Sequence, residues 1–123
     1  MSHIVSTVST MRPFIPAKDF EISKRFYLDL GFTLLDTGQD VVELKLGIFS
    51  ILLQNHFDPL WAENCMLQLL VTDIEGYWQH IESLRLGTKY VVKCPIAPKI
   101  QPWGMTVGYV YDPSGVLWHI AQA

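Results

Sequence analysis

The chain has 123 residues, half of them hydrophobic and 17% charged, with a formal net charge of -3. That is enough chain for a single domain with a real core and too little for two conventional ones, and its apolar content argues against disorder. No basic stripe exists to meet phosphates, which argues against nucleic acid as a partner, and no apolar run approaches the roughly 20 residues of a membrane helix.

Residues 1–10 are small and polar, an irregular lead-in or a swapped arm. They lack the basic and apolar regions of a signal peptide, so the cytoplasm is the expected location. Residues 11–17 read as a strand whose Pro13 and Pro16 limit its ladder, as at an edge or a crossing between subunits. Asp19 is placed to cap a helix over residues 20–30, with Ile22, Phe26 and Leu30 on its buried face and Gly31 ending it. Strands are predicted over residues 32–36, 41–45 and 49–54, turned by Gly38 and Gly47. Residues 55–64, with Pro59 and Trp61, read as a loop.

The plan then repeats. A strand over residues 65–71 leads to Asp73 and a helix over 74–86, with Ile74, Trp78, Ile81 and Leu84 inward; strands follow near 90–93, 104–111 and 116–121. Residues 94–102, carrying Pro95, Pro98 and Pro102, read as a stiff loop without counterpart in the first half. Cys65 and Cys94 fit no metal or redox spacing and are expected to be buried free thiols. The two halves, about 11–60 and 65–122, share a βαβββ order at an offset of about 54 residues, each too small to bury its sheet alone. The space between two such units is a natural place for a ligand.

Charge is uneven along the chain. Residues 33–64 hold Asp36, Asp40, Glu43, Asp58 and Glu63 against Lys45 alone. This is either a solvated acidic face or a rim that attracts a cationic ligand.

The Asp-led helices ending in Leu-Gly, Gln101-Pro102-Trp103-Gly104, and Asp112-Pro113-Ser114-Gly115 followed by Trp118-His119 resemble the vicinal oxygen chelate superfamily of glyoxalases, extradiol dioxygenases and bleomycin resistance proteins. The run from Pro13 to Asp19 and Phe26-Tyr27 before Leu30-Gly31-Phe32 are most similar to the bleomycin resistance branch. The resemblance implies an α+β fold of two βαβββ modules forming curved mixed sheets. It also implies a homodimer in which the first module of one subunit faces the second module of its partner across a cleft.

Metal-dependent members of that superfamily place one ligand on each of four strands. Matched residue by residue, those positions fall on Arg12, Gln54, Met66 and His119. A guanidinium offers donors only, and a thioether suits Mn, Fe, Ni or Zn poorly. The expectation is therefore no metal and no cofactor. No motif places a nucleophile beside His119, so no catalytic residue is assigned either.

Strand alternation sets Arg12 with Phe14, Ser50 with Leu52 and Gln54, Met66 with Gln68 and Leu70, and Tyr109 with Tyr111. In the family register those faces and His119 line the cup, and Trp61 and Trp103 match aromatic positions near the antibiotic cleft. For each Trp, core or interface packing is the competing reading, and for His119 a structural hydrogen bond. The implied function is sequestration of an aromatic or cationic small molecule, of which a bleomycin-class antibiotic is one candidate. The alternative is a metal-dependent lyase or dioxygenase.

Overall fold

The computed structural model describes residues 3–35 and 38–123. After a short exposed helix, α1 (His3–Ser6), come β1 (Phe14–Pro16), α2 (Phe20–Leu30), β2 (Thr33–Leu35), β3 (Val41–Leu46), β4 (Phe49–Gln54) and α3 (Pro59–Asn64). The second half holds β5 (Met66–Val71), α4 (Ile74–Leu84), α5 (Leu86–Lys89), β6 (Ile96–Ile100), β7 (Thr106–Tyr111) and β8 (Leu117–Gln122). They form two four-stranded sheets of one design, β1-β4-β3-β2 and β5-β8-β7-β6, each with one parallel and two antiparallel pairings. The α+β, twin βαβββ architecture is the one anticipated.

The helices start where a carboxylate can satisfy an orphan amide. Asp19 accepts from the Ile22 amide at 3.1 Å and Asp73 from the Gly76 amide at 3.1 Å. Gly31, at φ 113°, closes α2 in the left-handed conformation that glycine adopts without penalty. Phe26 and Leu30 on α2, and Ile74, Trp78 and Ile81 on α4, are buried as their spacing predicts, while Ile22 and Leu84 pack at the margin. Each large apolar side chain so covered contributes about 1.5–3 kcal/mol.

Several expectations are corrected. The first strand is only three residues long, because Pro13 and Pro16 have no amide for the ladder and the segment sits at the sheet edge. The segment 55–64 is not wholly loop: Asp58 accepts from the Leu60 amide and Pro59 opens α3. The helix predicted to 86 breaks at Arg85, which takes φ 50° between α4 and α5. The sixth strand lies at residues 96–100, inside the predicted loop, and not at 90–93. Its register shifts between Ile96 and Lys99, and an edge strand with such an irregularity tolerates Pro98. Asp36, the predicted end of β2, lies outside the described residues. Cys65 is half-buried and Cys94 exposed; both are free thiols, but neither is fully buried.

The two units share one core. Phe26, Tyr27 and Phe32 from the first meet Tyr90 and Trp118 from the second in edge-to-face pairs with centroids 5.3–6.0 Å apart. At its centre the Tyr27 hydroxyl donates to Asp112 Oδ2 at 2.6 Å and accepts from Trp118 Nε1 at 2.9 Å. Asp112 Oδ1 accepts the amides of Ser114 and Val116 at 2.8 and 2.9 Å. The Lys18 amide reaches Ser114 Oγ at 2.8 Å, another bond between the units.

Backbone approach fixes Gly108. A Cβ there would stand 2.7 Å from Trp78 Cζ3 and 3.1 Å from the Ile96 carbonyl, both held in place by packing or by the sheet. Gly108→Ala is expected to cost about 2 kcal/mol by overpacking, read as a lowered midpoint in urea unfolding. An unchanged midpoint would show that the indole has room to move.

Candidate functional site

Each sheet buries one face under its helix and leaves the other uncovered. In the first sheet Ile15, Val42, Leu44, Ile51 and Leu53 are no more than 5% exposed. Alternation turns Phe14, Glu43, Lys45, Ser50, Leu52 and Gln54 the other way. In the second, Trp118, Ile120 and Val110 face the core, so Leu117, His119, Tyr109 and Tyr111 turn the other way with Met66, Gln68 and Leu70. Phe14 at 51%, Met66 at 63% and Leu70 at 53% exposure are large apolar side chains with nothing over them.

On the first face Phe14, Leu52 and Glu43 align in one row across β1, β4 and β3. Arg12, just before β1, sets its Nη1 3.3 Å from Glu43 Oε1. Since β4 lies between β1 and β3, this ion pair passes over β4 and bars the floor of the face. On the second face Gln68, His119, Tyr109 and Ile96 align in one row across all four strands. The Tyr109 and His119 rings meet edge to face at 4.9 Å. Such a pair leaves a ring surface for a flat ligand to stack on. Lys93 Nζ stands 5.0 Å over the Tyr111 ring. A cleft of about 600 Å³ joins the units, with Ser50 and Phe49 on one wall, Gln68 and Leu70 on the other, and Phe32 and Trp118 at its base. That volume lies within the range of small-molecule sites.

Eight of the ten residues singled out from the sequence thus lie on the two uncovered faces: Arg12, Phe14, Ser50 and Gln54 on the first, Met66, Gln68, Tyr109 and His119 on the second. Trp61 and Trp103 do not. Trp61 sits on α3 with its ring 6.4 Å from that of His56, and Trp103 is 59% exposed in the turn between β6 and β7. The residues missed were Glu43, Lys45 and Lys99. The first two alternate with buried Val42 and Leu44, a signal that was available. Lys99 was hidden by the misplaced sixth strand, where it pairs with Val107 on the uncovered face.

The acidic stretch does not gather here. Asp40 accepts from Asn55 at a turn, Asp58 caps α3, and Glu63 is exposed on α3. Nor do the side chains at the four family positions suit a divalent ion. Arg12 is a cation already paired with Glu43, and Met66 offers only sulfur. Among the described residues no group of three or more His, Cys, Asp and Glu side chains is arranged to hold a metal. Likewise, no described helix is long and apolar enough to cross a membrane.

Comparison with known proteins places the architecture. The profile of the Glyoxalase/Bleomycin resistance protein/Dioxygenase superfamily matches residues 1–120. The chain belongs to this superfamily. A bleomycin resistance protein of Klebsiella pneumoniae is 27% identical over 115 residues, 89% of each chain. The crystal structure of a bleomycin resistance determinant encoded on transposon Tn5 superposes with a TM-score of 0.78 at 25% identity, covering 94% of this chain and 98% of that one. A bleomycin-binding protein complexed with bleomycin superposes at 0.79 with 24% identity, covering 94% and 99%.

Proposed function

We propose that this protein sequesters a planar aromatic small molecule, binding it without transforming it. The cleft forms in a homodimer, where the first face of one subunit closes over the second face of its partner. The observation that carries this reading is the pair of uncovered sheet faces, one bearing Phe14 and the other the Tyr109–His119 ring pair. An exposed apolar surface of this kind marks an interaction site. The resistance proteins it resembles support binding in place of catalysis, as does a donor set unsuited to metal.

The test has two parts. Sedimentation equilibrium should give twice the chain mass, and a flat aromatic compound should bind with one site per subunit. Bleomycin belongs in the panel because relatives are named for it. A monomer at micromolar concentration would overturn the two-subunit cleft. Near-stoichiometric Mn, Fe, Ni or Zn after chelator-free purification would instead favour the lyase or dioxygenase reading.

Trp103 offers a narrower check. In the dimer its exposed ring is proposed to reach the cleft as an aromatic wall. Trp103→Ala should then weaken binding by about 1 kcal/mol, the worth of one stacking contact, and leave dimer stability unchanged because no core atom is removed. Unaltered affinity in titrations of the variant would remove Trp103 from the site.

A further inference from the structure

The sheet faces carry a charge opposite to that of the protein as a whole. The chain holds 12 acidic and 9 basic residues. Among the described residues, Glu43 is the one acid found on either uncovered face. The other acids lie elsewhere. Asp19, Asp58 and Asp73 cap helices, Glu21, Asp29, Glu63, Glu75 and Glu82 ride on them, Asp40 sits at a turn and Asp112 is in the core. Four of the nine bases, in contrast, gather at the faces. Arg12 and Lys45 lie on the first face, Lys99 lies on the second, and Lys93 stands over Tyr111 at its end.

The geometry points to an anionic ligand, a planar aromatic compound carrying a carboxylate. This rests on the binding reading above and adds the charge of the compound to it. A carboxylate has a receptor in Arg12, whose planar fork matches two oxygens at once. In the free protein that fork is partly engaged by Glu43 through a 3.3 Å contact across β4. Glu43 thus stands in for the ligand: its carboxylate holds the guanidinium over the floor of the face and yields it to an incoming carboxylate. Lys45, two residues along β3 from Glu43, favours the exchange. A cationic ligand meets the reverse situation. It must take Glu43 from Arg12 and then share the cleft with an unpaired guanidinium, a costly arrangement in a partly desolvated space. Focusing of the field between low-dielectric walls enlarges the preference.

Three probes with one ring system and different charge test this: 2-naphthoate, neutral 2-naphthamide and the cation 2-naphthylmethylammonium, titrated calorimetrically into the full chain. The expected order is naphthoate tightest, by about tenfold over the amide, with the ammonium weakest, and the gap should narrow as salt is added. Arg12→Gln should abolish the advantage of naphthoate over the amide. Lys45→Gln should reduce the advantage in part. Glu43→Gln should act in the opposite direction, raising naphthoate affinity by about threefold to tenfold through release of Arg12. Melting temperatures of the three variants confirm that each is folded.

Equal binding of all three probes would overturn the charge assignment and leave the aromatic cleft standing. Tightest binding of the ammonium would do the same, as would an Arg12→Gln variant that keeps the full naphthoate preference. If none of the probes binds the folded dimer, the sequestration reading fails and this inference with it.

Discussion

Replacing Asp112 by Ala is expected to lower the unfolding free energy by about 3–5 kcal/mol, because three buried donors lose their acceptor at once. The side chain is 2% exposed and accepts from the Tyr27 hydroxyl, the Ser114 amide and the Val116 amide. Without it the Tyr27 hydroxyl proton has no partner between the two units, and the β7–β8 turn loses the carboxylate that closes it. Urea unfolding measures the loss, and a change below 1 kcal/mol would mean that water replaces the carboxylate.

The same residue sets a pH dependence of definite sign. Burial pushes the Asp112 carboxyl up to about 6, against the pull of its hydrogen bonds with Tyr27 and the turn amides. Since the folded value lies above the unfolded value of about 3.9, the fold binds the proton more tightly than the unfolded chain does. This contribution to stability is fully present below about pH 4 and is lost as pH rises through about 6. Asp112→Asn keeps one acceptor oxygen for the turn and removes the titration. The stability of the parent relative to this variant should therefore fall between pH 4 and pH 7, by about 3 kcal/mol for a shift of two pKa units.

The Asp-Pro-x-Gly sequence at 112–115 was one of the clearest signals of family, and it works in the core. The motif was legible because a buried carboxylate, a proline and a glycine in the left-handed conformation leave few substitutes in a turn this tight. Helix positions were legible for a related reason: Asp19, Asp73 and Gly31 act on backbone groups a few residues away. Beyond that range the sequence said less. The Arg12–Glu43 pair joins residues brought together only by the order β1-β4-β3, which no local pattern encodes. Arg12 therefore showed no partner in the sequence and residues 33–64 read as either a solvated acidic face or a rim for a cation, whereas the folded faces carry more positive than negative side chains. The sixth strand was missed because Pro95 and Pro98 argue against a strand everywhere except at an irregular sheet edge.

Tyr109→Ala is the substitution expected to hurt binding most. Tyr109 stands in the centre of the row Gln68–His119–Tyr109–Ile96, half-buried, with its ring edge against His119. An anchor in such a position is typically worth about 2–3 kcal/mol on truncation, a loss of about thirtyfold to more than a hundredfold in affinity. The neutral 2-naphthamide is the probe that isolates this ring contact from the charges of Arg12 and Lys45. Tyr109→Phe separates ring from hydroxyl: it should keep the amide affinity within about threefold if stacking dominates. His119→Ala should cost less by itself. Combined with Tyr109→Ala it should cost less than the sum of the two, because each ring positions the other. Full additivity would mean that the 4.9 Å contact orients nothing, and unchanged affinity in Tyr109→Ala would move the aromatic site off the second face altogether.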